Sequence, residues 1–125
     1  MTTLDLKQTQ ISSAIDLFSN GEINQALEAV QDLLKDYPNE PVLFNIKGAC
    51  YAELGQLDIA IKNYEDAIAI KPDYAKAHFN LAGSLHDLGQ LETAVQSYQK
   101  TIEIEPNYAE AHNNLGNVFQ ELEQG

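Results

Sequence analysis

The sequence predicts an all-α fold, a right-handed α-solenoid of antiparallel helix pairs with about seven helices. Three ladders at one period carry that prediction. Pro38, Pro72 and Pro106 lie 34 residues apart, as do Gly21, Gly55 and Gly89, and Ala26, Ala60 and Ala94. The copies at 41–74 and 75–108 also pair Leu54 with Leu88, Gln56 with Gln90, Leu57 with Leu91, Tyr64 with Tyr98 and Ile68 with Ile102. After Pro106 the unit begins again, with "YAEAHNNLG" echoing the earlier "YAKAHFNLA".

The ladders place helices near 4–20, 22–36, 41–54, 57–70, 75–88, 91–104 and 109–122. In the first, Gln10 and Ser13 are polar and suit an outer face with no repeat before it. The second opens after Gly21 and carries Ala26, Val30 and Leu33 at helical spacing. In the third, Phe44, Gly48, Tyr51 and Leu54 recur at three- and four-residue steps, as one helix face requires. Gly55 follows and can take the left-handed conformation that ends a helix. Asp58 favours the positive end of the fourth helix, whose apolar face is Ala60, Ile61, Tyr64, Ala67 and Ile68. Pro72 stops it by disfavouring helical geometry at Lys71. The fifth and sixth repeat this pair one period on. The seventh carries Leu115, Val118, Phe119 and Leu122, more apolar than a finished cap needs. Asn39, Asp73 and Asn107 each follow a ladder proline, where an N-cap for the next helix is expected.

This pattern resembles the tetratricopeptide repeat (TPR), a 34-residue helix–turn–helix unit reading W-x2-L-G-x2-Y, then A-x3-F, then P. Phe44, Gly48, Tyr51, Ala60, Tyr64, Ala67 and Pro72 occupy those positions in the second unit. In the third they are His78, Leu81, Ala82, Leu85, Ala94, Tyr98, Thr101 and Pro106. The first unit matches through Ala14, Leu17, Ala26, Val30, Leu33 and Pro38, and Lys47 stands where Leu is usual. The resemblance implies one domain over 1–125, with units at about 7–40, 41–74 and 75–108 and the first helix of a fourth over 109–125. Small residues, Gly48 with Ala60 and Ala82 with Ala94, allow close helix approach while Tyr64 and Tyr98 fill the remaining volume.

Composition narrows the function. Nineteen Asp and Glu stand against seven Lys and no Arg, a formal net charge of -12. That balance excludes nucleic acid, whose binding needs cations to displace phosphate counterions. It equally excludes a polybasic membrane-surface segment. Cys50 is the lone cysteine, so no internal disulfide and no thiolate-rich metal site is expected. The first residues lack a basic stretch followed by an apolar core, and no apolar run is long enough to span a bilayer, so a cytoplasmic location is expected. There is no phosphate loop, no H-E-x-x-H and no nucleophile elbow, so neither an enzyme, a cofactor nor a metal is expected. His78 and His112 share a repeat position that suits packing, and Cys50 is read as buried packing. Carboxylate pairs such as Glu65 with Asp66 and Glu103 with Glu105 read as a solvated face.

What remains is a surface. The resemblance implies a concave groove, lined by each unit's first helix, that binds an extended peptide or short helix. Carried onto this chain, groove positions fall at Ile11, Ile15 and Phe18 in the first unit, and at Asn45, Ala49 and Ala52 in the second. The third supplies Lys76, Phe79, Asn80, Gly83 and His86, and the last helix Asn113, Asn114, Asn117 and Gln120. Asn80 and Asn114 match a position that forms an asparagine ladder in O-linked N-acetylglucosamine transferases. Such amides both donate and accept, which suits a peptide backbone. A clamp for a peptide's C-terminal carboxylate is not expected, because Ile11, Ile15 and Ile46 stand at its positions, Asn80 replaces an Arg, and only Lys76 fits. Among the mapped groove positions Glu110 is the single acid. A non-enzymatic interaction module for a basic or neutral protein or peptide is therefore expected. The alternatives are the N-terminal TPR region of a larger glycosyltransferase or sulfotransferase, and self-association through the apolar face of the last helix.

Overall fold

A computed structural model describes residues 2–124, which form seven α-helices and, among the described residues, no strand. They are α1 (Thr3–Ser19), α2 (Ile23–Asp36), α3 (Pro41–Glu53), α4 (Leu57–Ile70), α5 (Ala75–Asp87), α6 (Leu91–Ile104) and α7 (Ala109–Gln124). Each packs against its neighbour in sequence, and α1 also meets α3, as α3 meets α5. The first helices of successive units thus stand side by side as one layer. All-α solenoid architecture follows, as the ladders predict.

The ladder glycines do one job three times. Gly21, Gly55 and Gly89 have φ of +82°, +79° and +81°, a region costly for any residue with a Cβ. The next amide then reaches back over the helix end: Glu22 N–H donates to Leu17 O at 2.9 Å, Gln56 to Tyr51 O at 2.9 Å and Gln90 to Leu85 O at 2.9 Å. These bonds satisfy carbonyls that the helix end leaves free.

The proline turns correct one expectation. Asn39, Asp73 and Asn107 are not N-caps; Glu40 caps α3 and Tyr74 caps α5, each without a side-chain hydrogen bond. Instead each ladder proline sits second in a reverse turn, closed by Glu40 N–H to Tyr37 O (3.4 Å), Tyr74 N–H to Lys71 O (3.1 Å) and Tyr108 N–H to Glu105 O (3.1 Å). The residue after proline takes the third place, which Asn and Asp suit for the same polar side-chain reason that suits a cap. A true capping box does occur at the start of α1, where Thr2 accepts from Asp5 N–H at 3.1 Å.

The core follows the stack. One cluster joins α1, α2 and α3 through Ala14, Ala26, Val30, Leu33, Leu43, Ile46 and Cys50, and another joins α5, α6 and α7 through Ala82, Tyr98, Ala111 and Val118. In α3 the expected face is only part of what is buried. Leu43, Ile46 and Cys50 are buried against the preceding unit, Phe44 and Tyr51 are half-buried, and Leu54 is 40% exposed. A middle helix has neighbours on two sides, so its buried stripe is wider than one amphipathic face.

Buried polar groups are paired. His78 Nε2–H donates to Pro72 O at 2.9 Å, and His112 repeats the bond to Pro106 O at 2.7 Å. The shared histidine position therefore ties a first helix to the turn before it, but it packs only at His78, since His112 is exposed. Thr101 Oγ1 donates to Ser97 O at 2.9 Å and Asn63 Nδ2 to Ile59 O at 2.9 Å. Cys50 is fully buried, as expected, and its thiol is pushed up to about 11 by burial and by the nearby Glu53 carboxylate. The native thiol therefore holds its proton at pH 8, where a free thiol is partly ionised. Labelling by a thiolate-selective disulfide reagent is expected to run at least ~100-fold slower in the folded protein than in urea. Equal rates in the two conditions would contradict the burial.

Candidate binding groove

The layer of first helices encloses a cavity of about 610 Å³. Of the residues mapped onto the groove, Ile15, Phe18, Asn45, Ala49, Ala52, Lys76, Phe79, Asn80, Gly83 and Asn114 line it. Ile11 does not. It is 5% exposed and belongs to the core between α1, α2 and α3. His86 also stands outside the lining, with Nε2 2.8 Å from Glu121 Oε1, which links α5 to α7. Asn113, Asn117 and Gln120 are exposed on α7 and do not reach the cavity.

The polar lining is cross-linked between units. Asn80 Nδ2–H donates to Asn45 Oδ1 at 3.1 Å, and Asn114 Nδ2–H donates to Tyr98 Oη at 3.4 Å. Asn45 is itself 6% exposed, so a polar side chain is held at the cavity floor by its neighbour on the next unit. Phe79 forms one wall. Its ring stacks on Tyr108 at 4.9 Å between centroids and meets the edge of Tyr98 at 5.8 Å.

Part of the lining lies outside the mapped positions. Tyr64 and Tyr98 reach the cavity from second helices, and Glu53 and Asp87 reach it from the last residues of α3 and α5. The tyrosines show through where the facing residue is small. A Cβ on Gly48 would stand 2.6 Å from Tyr64 Cε1, and one on Gly83 would stand 3.9 Å from Tyr98 Oη. That signal was present in the sequence as a small residue on each first helix opposite a ladder tyrosine. Both hydroxyls are shifted towards the neutral form. Burial pushes Tyr64 up, with Cys50 and Glu53 adding to it. For Tyr98 burial again leads, opposed by the Asn114 bond and reinforced by Asp87. Neutral phenols, amides and surface carboxylates can bind and orient a ligand. Among the described residues no three His, Cys, Asp or Glu groups are placed to hold a metal ion. Nor is any described helix long and apolar enough to cross a membrane. A second hollow of about 540 Å³ lies over α4, α5 and α6, lined by Glu65, His78, Leu81 and Lys100 among others.

Comparison with known proteins bears directly on this geometry. A family profile described as TPR repeat matches residues 48–86 and 83–123. The TPR repeat-containing protein MJ0940 of Methanocaldococcus jannaschii is 33% identical over 75 residues, which are 60% of this chain and 23% of that protein. The peroxisomal targeting signal receptor of Candida glabrata is 31% identical over 75 residues, 60% of this chain and 13% of the receptor. The chain thus matches less than a quarter of the length of either relative. Among solved structures, the first TPR of Spaghetti (RPAP3) bound to the HSP90 peptide SRMEEVD superposes with a TM-score of 0.87 at 26% identity, covering 93% of this chain and 92% of that one. The O-GlcNAc transferase of Thermobaculum terrenum superposes with a TM-score of 0.87 at 27% identity, covering 94% of this chain and 23% of the enzyme.

Proposed function

The chain belongs to the tetratricopeptide-repeat family, and from that premise we propose that it is a protein-interaction module whose concave groove takes a polypeptide segment. The observation that carries this reading is the cavity itself: apolar side chains of Ile15, Phe18 and Phe79 beside amides of Asn45, Asn80 and Asn114. Apolar walls supply burial, and amides can meet a backbone whatever its sequence. The likeness to a TPR domain that is bound to an HSP90 peptide supports a peptide-binding use. The module is read as non-enzymatic, and its partner as basic or neutral. Sites at Asn113, Asn117, Gln120 and His86 flank the cavity and are read as contacts for a longer ligand, while Ile11 supports the wall from beneath.

A second reading is that the groove recruits substrate for an enzyme on the same polypeptide. The likeness to the O-GlcNAc transferase, of which this chain covers 23%, favours it. Both readings need the groove.

A displayed random-peptide library tests it. Phe79→Ala combined with Asn80→Ala and Asn114→Ala is expected to weaken selected peptides by more than ~10-fold, with helix dichroism retained. Undiminished binding by that variant would place the ligand elsewhere.

A further inference from the structure

We infer that the groove selects segments carrying a lysine or arginine, whose cationic group seats between Glu53 and Asp87. This rests on the peptide-groove reading above and adds the chemistry of its ligand.

Glu53 and Asp87 are 34 residues apart, at the same repeat position, and both line the cavity. Each is the last residue of a first helix, where the macrodipole already presents partial negative charge and a cation would be preferred. Neither carboxylate has an ion-pair partner among the described residues. The last turn of α3 holds no basic residue, and His86 in that of α5 is turned to Glu121. Two acids placed against the helix dipole and left without counterions are fitted for a cation brought by something else.

The surroundings match the rest of such a side chain. Tyr64 and Tyr98 line the same cavity as the two acids, so aromatic rings share the site with them. Aliphatic stems of lysine and arginine pack on such rings while the charged end reaches a carboxylate. Asn80 and Asn114 already use an amide N–H on Asn45 and Tyr98, leaving carbonyl oxygens to accept from the ligand. The one cation in the lining is Lys76, at the other end of α5 from Asp87, roughly 16 Å along the helix axis.

The test uses fluorescent, end-blocked heptapeptide libraries with the central residue fixed as Lys, Arg, Gln or Glu, measured by anisotropy against the whole chain. Lys and Arg libraries should bind about tenfold more tightly than the Gln library, and the Glu library should bind most weakly. Raising salt should shrink the gap, because the carboxylates are exposed. In the double variant Glu53→Gln with Asp87→Asn the gap between the Lys and Gln libraries should vanish. The free variant should also melt at a higher temperature, since two charges opposing helix ends are gone. Equal affinity for the Lys and Gln libraries, or a preference that survives in the double variant, overturns the inference and leaves the groove intact. Failure of every library to bind overturns the groove reading and the inference with it.

Discussion

Tyr98→Ala is expected to cost ~3–5 kcal/mol of stability, the range for deleting a large buried aromatic side chain. The ring is 1% exposed, sits in the core cluster with Ala82, Ala111 and Val118, and meets Phe79 edge-on. Removing it opens a cavity where α5, α6 and α7 meet. Tyr98→Phe should cost only about 1 kcal/mol, because it gives up one long bond from Asn114 and keeps the ring. The loss should also be regional. Stability in a stack is the sum of neighbour contacts, so protection from hydrogen exchange should fall across α5 to α7 more than across α1 to α3. An alanine variant that unfolds at the wild-type urea concentration would contradict this packing.

Gly48→Ala and Gly116→Ala should move stability in opposite directions. Both glycines are within helices, where alanine is ordinarily better by ~0.5–1 kcal/mol. At Gly116 a Cβ would meet nothing within 4 Å, so the ordinary gain is expected. At Gly48 it would stand 2.6 Å from Tyr64 Cε1, 2.7 Å from Cδ1 and 3.1 Å from the Ala60 carbonyl. Tyr64 is 2% exposed and has little room to retreat. Overpacking of this kind costs ~1–3 kcal/mol, enough to outweigh the propensity gain. Gly48→Ala should also disturb the groove, because Tyr64 lines it. Urea midpoints of the two variants decide the matter, and a stabilised Gly48→Ala would show that α3 and α4 are not held this closely.

The difference between those glycines shows what the sequence could and could not carry. A period of 34 residues fixes where helices begin and end, because Gly and Pro act locally at each turn. Exposure is not local. Ile11, Asn45 and Asn113 share one repeat position: the first two are buried and the third is exposed. Asn45 lies where the following unit leans and meets Asn80 there, whereas among the described residues no later helix packs over Asn113. Ile11 was therefore legible as a groove position and yet serves the core. The acids were missed for a related reason. Glu53 and Asp87 sit one residue past the mapped positions, and only the packing of α3 against α5 turns them into the same cavity. Asn39, Asp73 and Asn107 failed differently, since a turn and a helix cap ask for the same side chains.

The central claim is that ligand enters the concave layer of first helices. Amide shift mapping by nuclear magnetic resonance, with the tightest peptide from the library screen, tests it most directly. The largest shifts are predicted at Ile15, Phe18, Asn45, Phe79, Asn80 and Asn114, with Glu53 and Asp87 joining them for a basic peptide. Shifts gathered instead at Glu65, His78, Leu81 and Lys100, around the hollow over α4 and α6, would contradict it.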